Sequence, residues 1–174
     1  GEASGYATLA QDMSAGEYGA SPATARGRAE EYVRFYQHLF IVEELFGWDA
    51  PVKARARVRT KPKRYIVDPS IAAAALGFSP ERLMREMQIF GMFFEALCIR
   101  DLRTYLSANA ETSDASLYYY RDDYGLEVDA IIELTDGRWA AIEIKLSEDK
   151  VQKGVDNLLR LRDKVLANPA ARSR

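Results

Sequence analysis

The stretch LEVDAIIELTDGRWAAIEIK, Leu126 to Lys145, constrains the fold more than any other part of the chain. Two runs rich in Val, Ile and Trp flank the turn signal Asp136-Gly137, so the stretch reads as a β-hairpin. Side chains alternate faces along a strand, and loop length therefore decides which residues share a face. A two-residue mirror-type turn pairs Thr135 with Arg138 and Asp129 with Ile144, which sends Asp129 and Glu143 to opposite faces. A three-residue loop, with a type I turn at Thr135-Asp136 and a left-handed Gly137, pairs Leu134 with Arg138. It sets Asp129 directly across from Glu143. This second register is the expected one. Opposed carboxylates repel each other, so it makes sense where a cation or a proton lies between them.

A carboxylate in an apolar element is costly to bury alone. Asp129 in EVDAII and Glu143 in AIEIK share that problem with Glu95 in MFFEALCI. The helical neighbours of Glu95, which are Gly91, Met92, Cys98, Ile99 and Leu102, offer it no charge partner. One hard divalent cation would answer all three, since Mg²⁺ takes one or two carboxylates together with waters and phosphates. Lys145 follows Glu143 by two residues and shares its strand face. There it could orient or activate a water, or steady the charge on a phosphate. The expected metal ligands are thus Glu95, Asp129 and Glu143, and the expected catalytic residues are Asp129, Glu143 and Lys145. The plain alternative is that Asp129 and Glu143 each meet an arginine at a sheet edge while Glu95 accepts from a backbone donor.

The rest of the chain reads as mixed α and β. A helix is expected over YATLAQDM, then one capped by Ser21 and running from Pro22 to Phe40. LFIVEELFGW, KARARVRTK and KRYIVDP read as strands, and SIAAAAL as a short helix stopped at Gly77. A helix capped by Ser79 should run unbroken to about Ser107 and, being apolar on every side around IFGMFFEALCI, should be buried all round. SLYYYRD, the hairpin and an amphipathic helix over SEDKVQKGVDNLLRLRDKVLANP complete the chain. The expected division is 1–77 and 78–174. Tyr118, Tyr119 and Tyr120 pack in the sheet on this reading, with base stacking as the alternative. His38 reads as a polar helical residue.

At 48% hydrophobic and 29% charged residues, the composition is that of a globular protein. No run approaches the roughly 18 apolar residues that span a bilayer, so no membrane partner is expected. The one cysteine, Cys98, excludes an internal disulfide and fits a reducing, cytoplasmic setting. A net charge of −2 hides an asymmetry. Residues 50–67 carry seven bases and no acid, whereas 111–149 carry eleven acids and three bases. If the basic stretch is a strand, Lys53, Arg55, Arg57, Arg59 and Lys61 share a face, followed by Lys63 and Arg64. Such a ribbon after a helix could track phosphates without reading bases. It could equally be a solvated edge blunted by charge, or a surface that docks on an acidic partner.

The order of elements, with Glu95 on a helix, Asp129 in VDAIIE and Glu143-Ile144-Lys145 after the turn, resembles the PD-(D/E)XK nuclease fold. More widely, PKRYIVDPSIAAAALG, FGMFFEALCIRDLRTY, YYYRDDYGLEVDAIIEL, RWAAIEIK and NLLRLRDKV resemble the C-terminal region (DUF4143) of bacterial and archaeal AAA-type ATP-binding proteins. The resemblance implies an α/β restriction-endonuclease-like core with a mixed sheet flanked by helices, preceded by a small winged-helix-like α+β domain. It implies DNA as partner and substrate, Mg²⁺ or Mn²⁺ as cofactor, and Glu95, Asp129, Glu143 and Lys145 as site residues. It also implies an upstream P-loop ATPase domain that binds ATP. This chain has no G-x-x-x-x-G-K-[ST], so no ATPase activity is expected of it. Oligomerisation is left open. A second function class stays beside the nuclease: a non-catalytic module that attaches DNA or a protein to the ATPase.

Overall fold

The computed structural model describes residues 22–49 and 61–167, with side chains described from Arg26 onward. The expected YATLAQDM helix, the Ser21 cap and the strand through Lys53, Arg55, Arg57 and Arg59 lie outside those residues.

Helix α1 (Pro22–His38) leads into β1 (Val42–Leu45), which pairs antiparallel with β2 (Lys63–Ile66). Asp68 then caps α2 (Pro69–Ala75), accepting the Ser70 N–H at 2.9 Å. Gly77, at φ +66°, carries the chain out of α2 in the left-handed conformation that glycine adopts without strain. Ser79 caps α3 (Pro80–Arg85), and α4 (Met87–Ala108) follows.

The helix expected to run unbroken from Pro80 is therefore split at Glu86, whose φ −104° and ψ 65° leave the helical region. Neither Pro nor Gly marks the break. The turn is held by packing: Phe78 sits edge-on to Phe93 with ring centroids 6.3 Å apart, and the Arg82 guanidinium lies 4.5 Å from the Phe78 centroid. Nor is α4 buried all round. Ala96 and Ile99 are buried, but Met87 and Met92 are exposed, because the sheet covers one side of the helix.

Strands β3 (Ser116–Arg121), β4 (Glu127–Glu133) and β5 (Trp139–Ile142) form an antiparallel meander. The chain just after β1 joins it. Phe46 O accepts the Tyr119 N–H at 3.0 Å, and Trp48 N–H donates to Tyr119 O at 2.6 Å in a parallel bridge. A short 3₁₀ turn (Glu148–Lys150) precedes the final helix α5 (Val151–Leu166).

Two apolar clusters cover the two faces. On one, Trp48, Tyr120, Leu126, Val128 and Ile131 meet Leu161 and Val165 of α5. On the other, Leu45, Tyr65, Tyr119 and Ala130 meet Ala96 and Ile99 of α4. Both clusters draw on residues from either side of Gly77. The tyrosine run packs in the sheet, with Tyr119 and Tyr120 buried on opposite faces. The shown architecture is a mixed α/β arrangement of small antiparallel sheets and helices. Among the described residues no helix is long and apolar enough to cross a membrane.

Candidate functional site

The hairpin turn takes the three-residue form. Leu134 N–H donates to Arg138 O at 2.8 Å, Gly137 N–H donates to Leu134 O at 2.9 Å, and Gly137 has φ +85°. The paired residues run Glu133 with Trp139, Ile131 with Ala141 and Ala130 with Ile142. Carried one step further, the same register sets Asp129 opposite Glu143.

A second irregularity acts on the same residue. Tyr118 pairs with Ile131 and Tyr120 with Val128, so Asp129 and Ala130 together face the single Tyr119. This is a β-bulge, a device that bends a strand and re-aims a side chain. It explains why Val128 and Ile131, three apart, lie in one cluster while Ala130 lies in the other.

Lys145 closes the arrangement. Its ammonium donates to Asp129 Oδ2 at 3.0 Å, to Glu143 Oε2, and to the Ile144 carbonyl at 3.2 Å. The Ile144 N–H also donates to Asp129 Oδ2, at 2.8 Å. Helix α5 reaches the far oxygen of Glu143: Asn157 Nδ2 donates to Oε1 at 2.9 Å. This approach needs Gly154. A Cβ there would stand 3.3 Å from Glu143 Cβ and 3.4 Å from Lys145 Cε.

These contacts divide the two acids. Burial works against the Asp129 carboxylate, but bonds with Glu143, the Ile144 N–H and Lys145 outweigh it and hold its pKa below the ordinary range. Burial, then the bond with Asp129, push Glu143 above its ordinary value against Lys145 and Asn157. Burial disfavours the charged Lys145, yet the two carboxylates raise its pKa overall. A low carboxylate beside a raised one is the pattern of two acids sharing a site.

Glu95 has partners that its own helix could not supply. Tyr65 Oη donates to its Oε1 at 2.8 Å, and Lys63 Nζ lies 3.4 Å from the same oxygen. Lys63 Nζ also lies 2.6 Å from Glu127 Oε1. Lys63 is 2% exposed. Burial lowers its pKa, but Glu95, Glu127 and Asp129 together raise it above the ordinary lysine value. Of the residues expected on a phosphate-facing ribbon, then, Lys63 is turned inward onto carboxylates. Arg64 is paired with Glu44 at 3.0 Å, and Lys61 is exposed. Lys53, Arg55, Arg57 and Arg59 lie outside the described residues. His38 is exposed and donates to the Arg34 carbonyl at 2.7 Å.

The structure thus brings Asp129, Glu143 and Lys145 together and places Glu95 in an adjoining cluster with Lys63, Tyr65 and Glu127. Among the described residues no group of three or more His, Cys, Asp and Glu is placed to hold a metal ion. Two carboxylates are nonetheless a normal protein contribution to a Mg²⁺ site, so the donor chemistry of Asp129 and Glu143 suits such an ion. To admit it, the Lys145 ammonium must give way. Sequence reasoning placed Lys63 on the basic ribbon and missed Tyr65, Glu127, Asn157 and Gly154. Only Gly154 carried a signal, a glycine inside an amphipathic helix.

Residues 90–173 match the family model described as Domain of unknown function (DUF4143). The C-terminal region is of the DUF4143 type. Residues 4–82 match a second, described as Domain of unknown function (DUF8612). The DUF4143-type region contains Glu95, Asp129, Glu143, Lys145 and Asn157, whereas Lys63 and Tyr65 come from the other matched stretch. No curated protein and no solved structure matches the chain.

Proposed function

We propose that Asp129, Glu143 and Lys145 form a metal-dependent phosphodiester-hydrolysing site acting on DNA, in a PD-(D/E)XK-like core preceded by a winged-helix-like segment. The observation that carries this reading is the Lys145 ammonium bonded to both Asp129 and Glu143, just beyond the last hairpin pair, Ala130 with Ile142. Asp129 and Glu143 would hold Mg²⁺ or Mn²⁺. When bound, that ion supplies Lewis acidity toward a phosphoryl oxygen. Displaced from the carboxylates, Lys145 orients the attacking water or steadies phosphate charge. Asn157 keeps Glu143 Oε1 aimed while Oε2 is freed.

The test is cleavage of plasmid and linear DNA in Mn²⁺ by the wild type and by Glu143→Gln and Lys145→Met. The reading predicts cleavage by the wild type and at least a hundredfold loss in each variant. Equal cleavage by all three would sink it.

A second reading is a non-catalytic module linking DNA or a protein to an upstream AAA-type ATPase. The engagement of both Asp129 and Glu143 by the Lys145 ammonium favours it, as does the commitment of Glu95 to Lys63 and Tyr65. On this reading DNA binds but is not cut. Replacing Arg55 and Arg57 then weakens binding and flattens its salt dependence. An unchanged salt slope would remove the ribbon from the account.

A further inference from the structure

Helix α5 does more than seat Glu143. Lys153, Asn157, Arg160 and Lys164 recur along it at the spacing of a single helical flank. Lys150 stands just before them, in the 3₁₀ turn that leads into the helix. Direct contacts tie this flank to the hairpin. Asn157, at its middle, donates to Glu143 Oε1 at 2.9 Å. Gly154, next to Lys153, lies where a Cβ would stand 3.4 Å from Lys145 Cε.

Many basic side chains among the described residues are matched to acids. Arg64 meets Glu44, Arg103 meets Glu43 and Arg138 meets Asp136. Lys150, Lys153 and Arg160 are exposed and form no ion pair among the described residues. The acids of α5 do not answer them. Asp156 accepts from Gln152 at 3.0 Å and Asp163 pairs with Arg162 at 2.7 Å, each drawn away from that flank. Local electrostatics also work against this placement. Lys150 and Lys153 sit at the start of α5, where the helix dipole disfavours cations, and the first turn holds no acid. Like charges at the spacing of Lys150 and Lys153, or of Arg160 and Lys164, destabilise a helix slightly. A row of external anions answers both costs.

We propose that this flank of α5 is a phosphate track that lays a DNA backbone across the hairpin site. Lys150 and Lys153 hold phosphates on one side of the Asn157–Glu143 contact, and Arg160 holds them on the other. Lys153 and Arg160 stand roughly 10 Å apart along the helix at 1.5 Å per residue, so they meet different phosphates. Backbone contacts of this kind carry affinity and register but no sequence. The proposal rests on the DNA-acting reading and names the surface that brings DNA to the hairpin. Lys63 and Arg64 do not fill that role, since acids hold both.

The experiment is fluorescence anisotropy of a labelled DNA duplex with the whole chain in EDTA, repeated from about 50 to 200 mM salt. Lys153→Gln and Arg160→Gln should each weaken binding several-fold. Each should also flatten the slope of log affinity against log salt by about 0.9, equally on two unrelated sequences. Arg162→Gln removes the same charge from elsewhere on α5, and Arg85→Gln removes it from α3. Both should bind like the wild type. Slopes unchanged by Lys153→Gln and Arg160→Gln overturn this inference alone. Equal losses in all four variants also overturn it, by making the effect one of net charge. A wild type that binds no duplex overturns the DNA reading and this inference with it. Binding that follows the Lys153 and Arg160 variants, with no cleavage in Mn²⁺, supports this inference and removes the nuclease reading.

Discussion

The Lys145 ammonium donates to Asp129 at 3.0 Å and to Glu143 at once, so one cation joins two acids just beyond the last hairpin pair, Ala130 with Ile142. The side chains of Asp129 and Glu143 are 13% and 4% exposed, which leaves little water to screen them. Replacing Lys145 with Met should therefore destabilise the protein by about 2 kcal/mol near neutral pH. Saturating Mn²⁺ should restore part of that loss by taking the cation's place. Urea unfolding with and without Mn²⁺ checks both effects, and an unchanged midpoint in the variant contradicts the account.

Gly137 makes the three-residue loop possible. At φ +85° a side chain is strained whatever space surrounds it. Gly137→Ala should cost about 1 kcal/mol. Shortening Thr135-Asp136-Gly137 to Asn-Gly should favour the other register and move Asp129 away from Glu143. Amide chemical shifts across the hairpin and thermal melts report on each change.

Gly154 lets α5 lie against the hairpin. Gly154→Ala forces Glu143 or Lys145 to shift by a few tenths of an ångström, and Gly154→Val by more. Expected losses are about 1 and 3 kcal/mol. Asn157→Ala frees Glu143 Oε1 and should cost about 1 kcal/mol, with a larger effect on Mn²⁺ binding than on stability.

Away from the site, Asp122 anchors α5 to the β3–β4 turn. It accepts the Tyr124 and Leu126 N–H groups at 2.8 and 2.9 Å and pairs with Lys164 at 2.6 Å. Burial raises its pKa, but Lys164 and the two N–H groups outweigh this and leave it below the ordinary value. A depressed carboxyl stabilises the fold above its unfolded pKa of about 3.9, and that stability is lost as pH falls through the folded value. Lys164 is raised chiefly by Asp122, so its share is full below about 10.4 and is lost as pH rises through its folded value. Asp122→Asn should thus be about 1 kcal/mol less stable than wild type near pH 7. The two proteins should converge in acid, as chemical unfolding across pH would show.

The hairpin could be read from the sequence because its signals are local. A glycine after Asp136 and apolar alternation on both sides mark the hairpin, and the three-residue loop is the register in which one cation can answer both acids. The partners of Glu95 could not be read. Lys63 is 32 residues away and arrives through strand pairing that no local pattern marks. The sequence instead places Lys63 with the basic ribbon, since its charge looks the same whether it faces solvent or a buried acid. The bulge at Asp129-Ala130 and the break at Glu86 were equally hidden, since each is set by packing across elements rather than by a proline or glycine.

Diffraction from a Mn²⁺-soaked crystal, recorded for its anomalous signal, tests the central claim most directly. The account predicts one strong peak between the Asp129 and Glu143 carboxylates, with the Lys145 ammonium moved off both and Glu95 still bonded to Tyr65. No peak there at saturating Mn²⁺, with Lys145 still bonded to both acids, would contradict it.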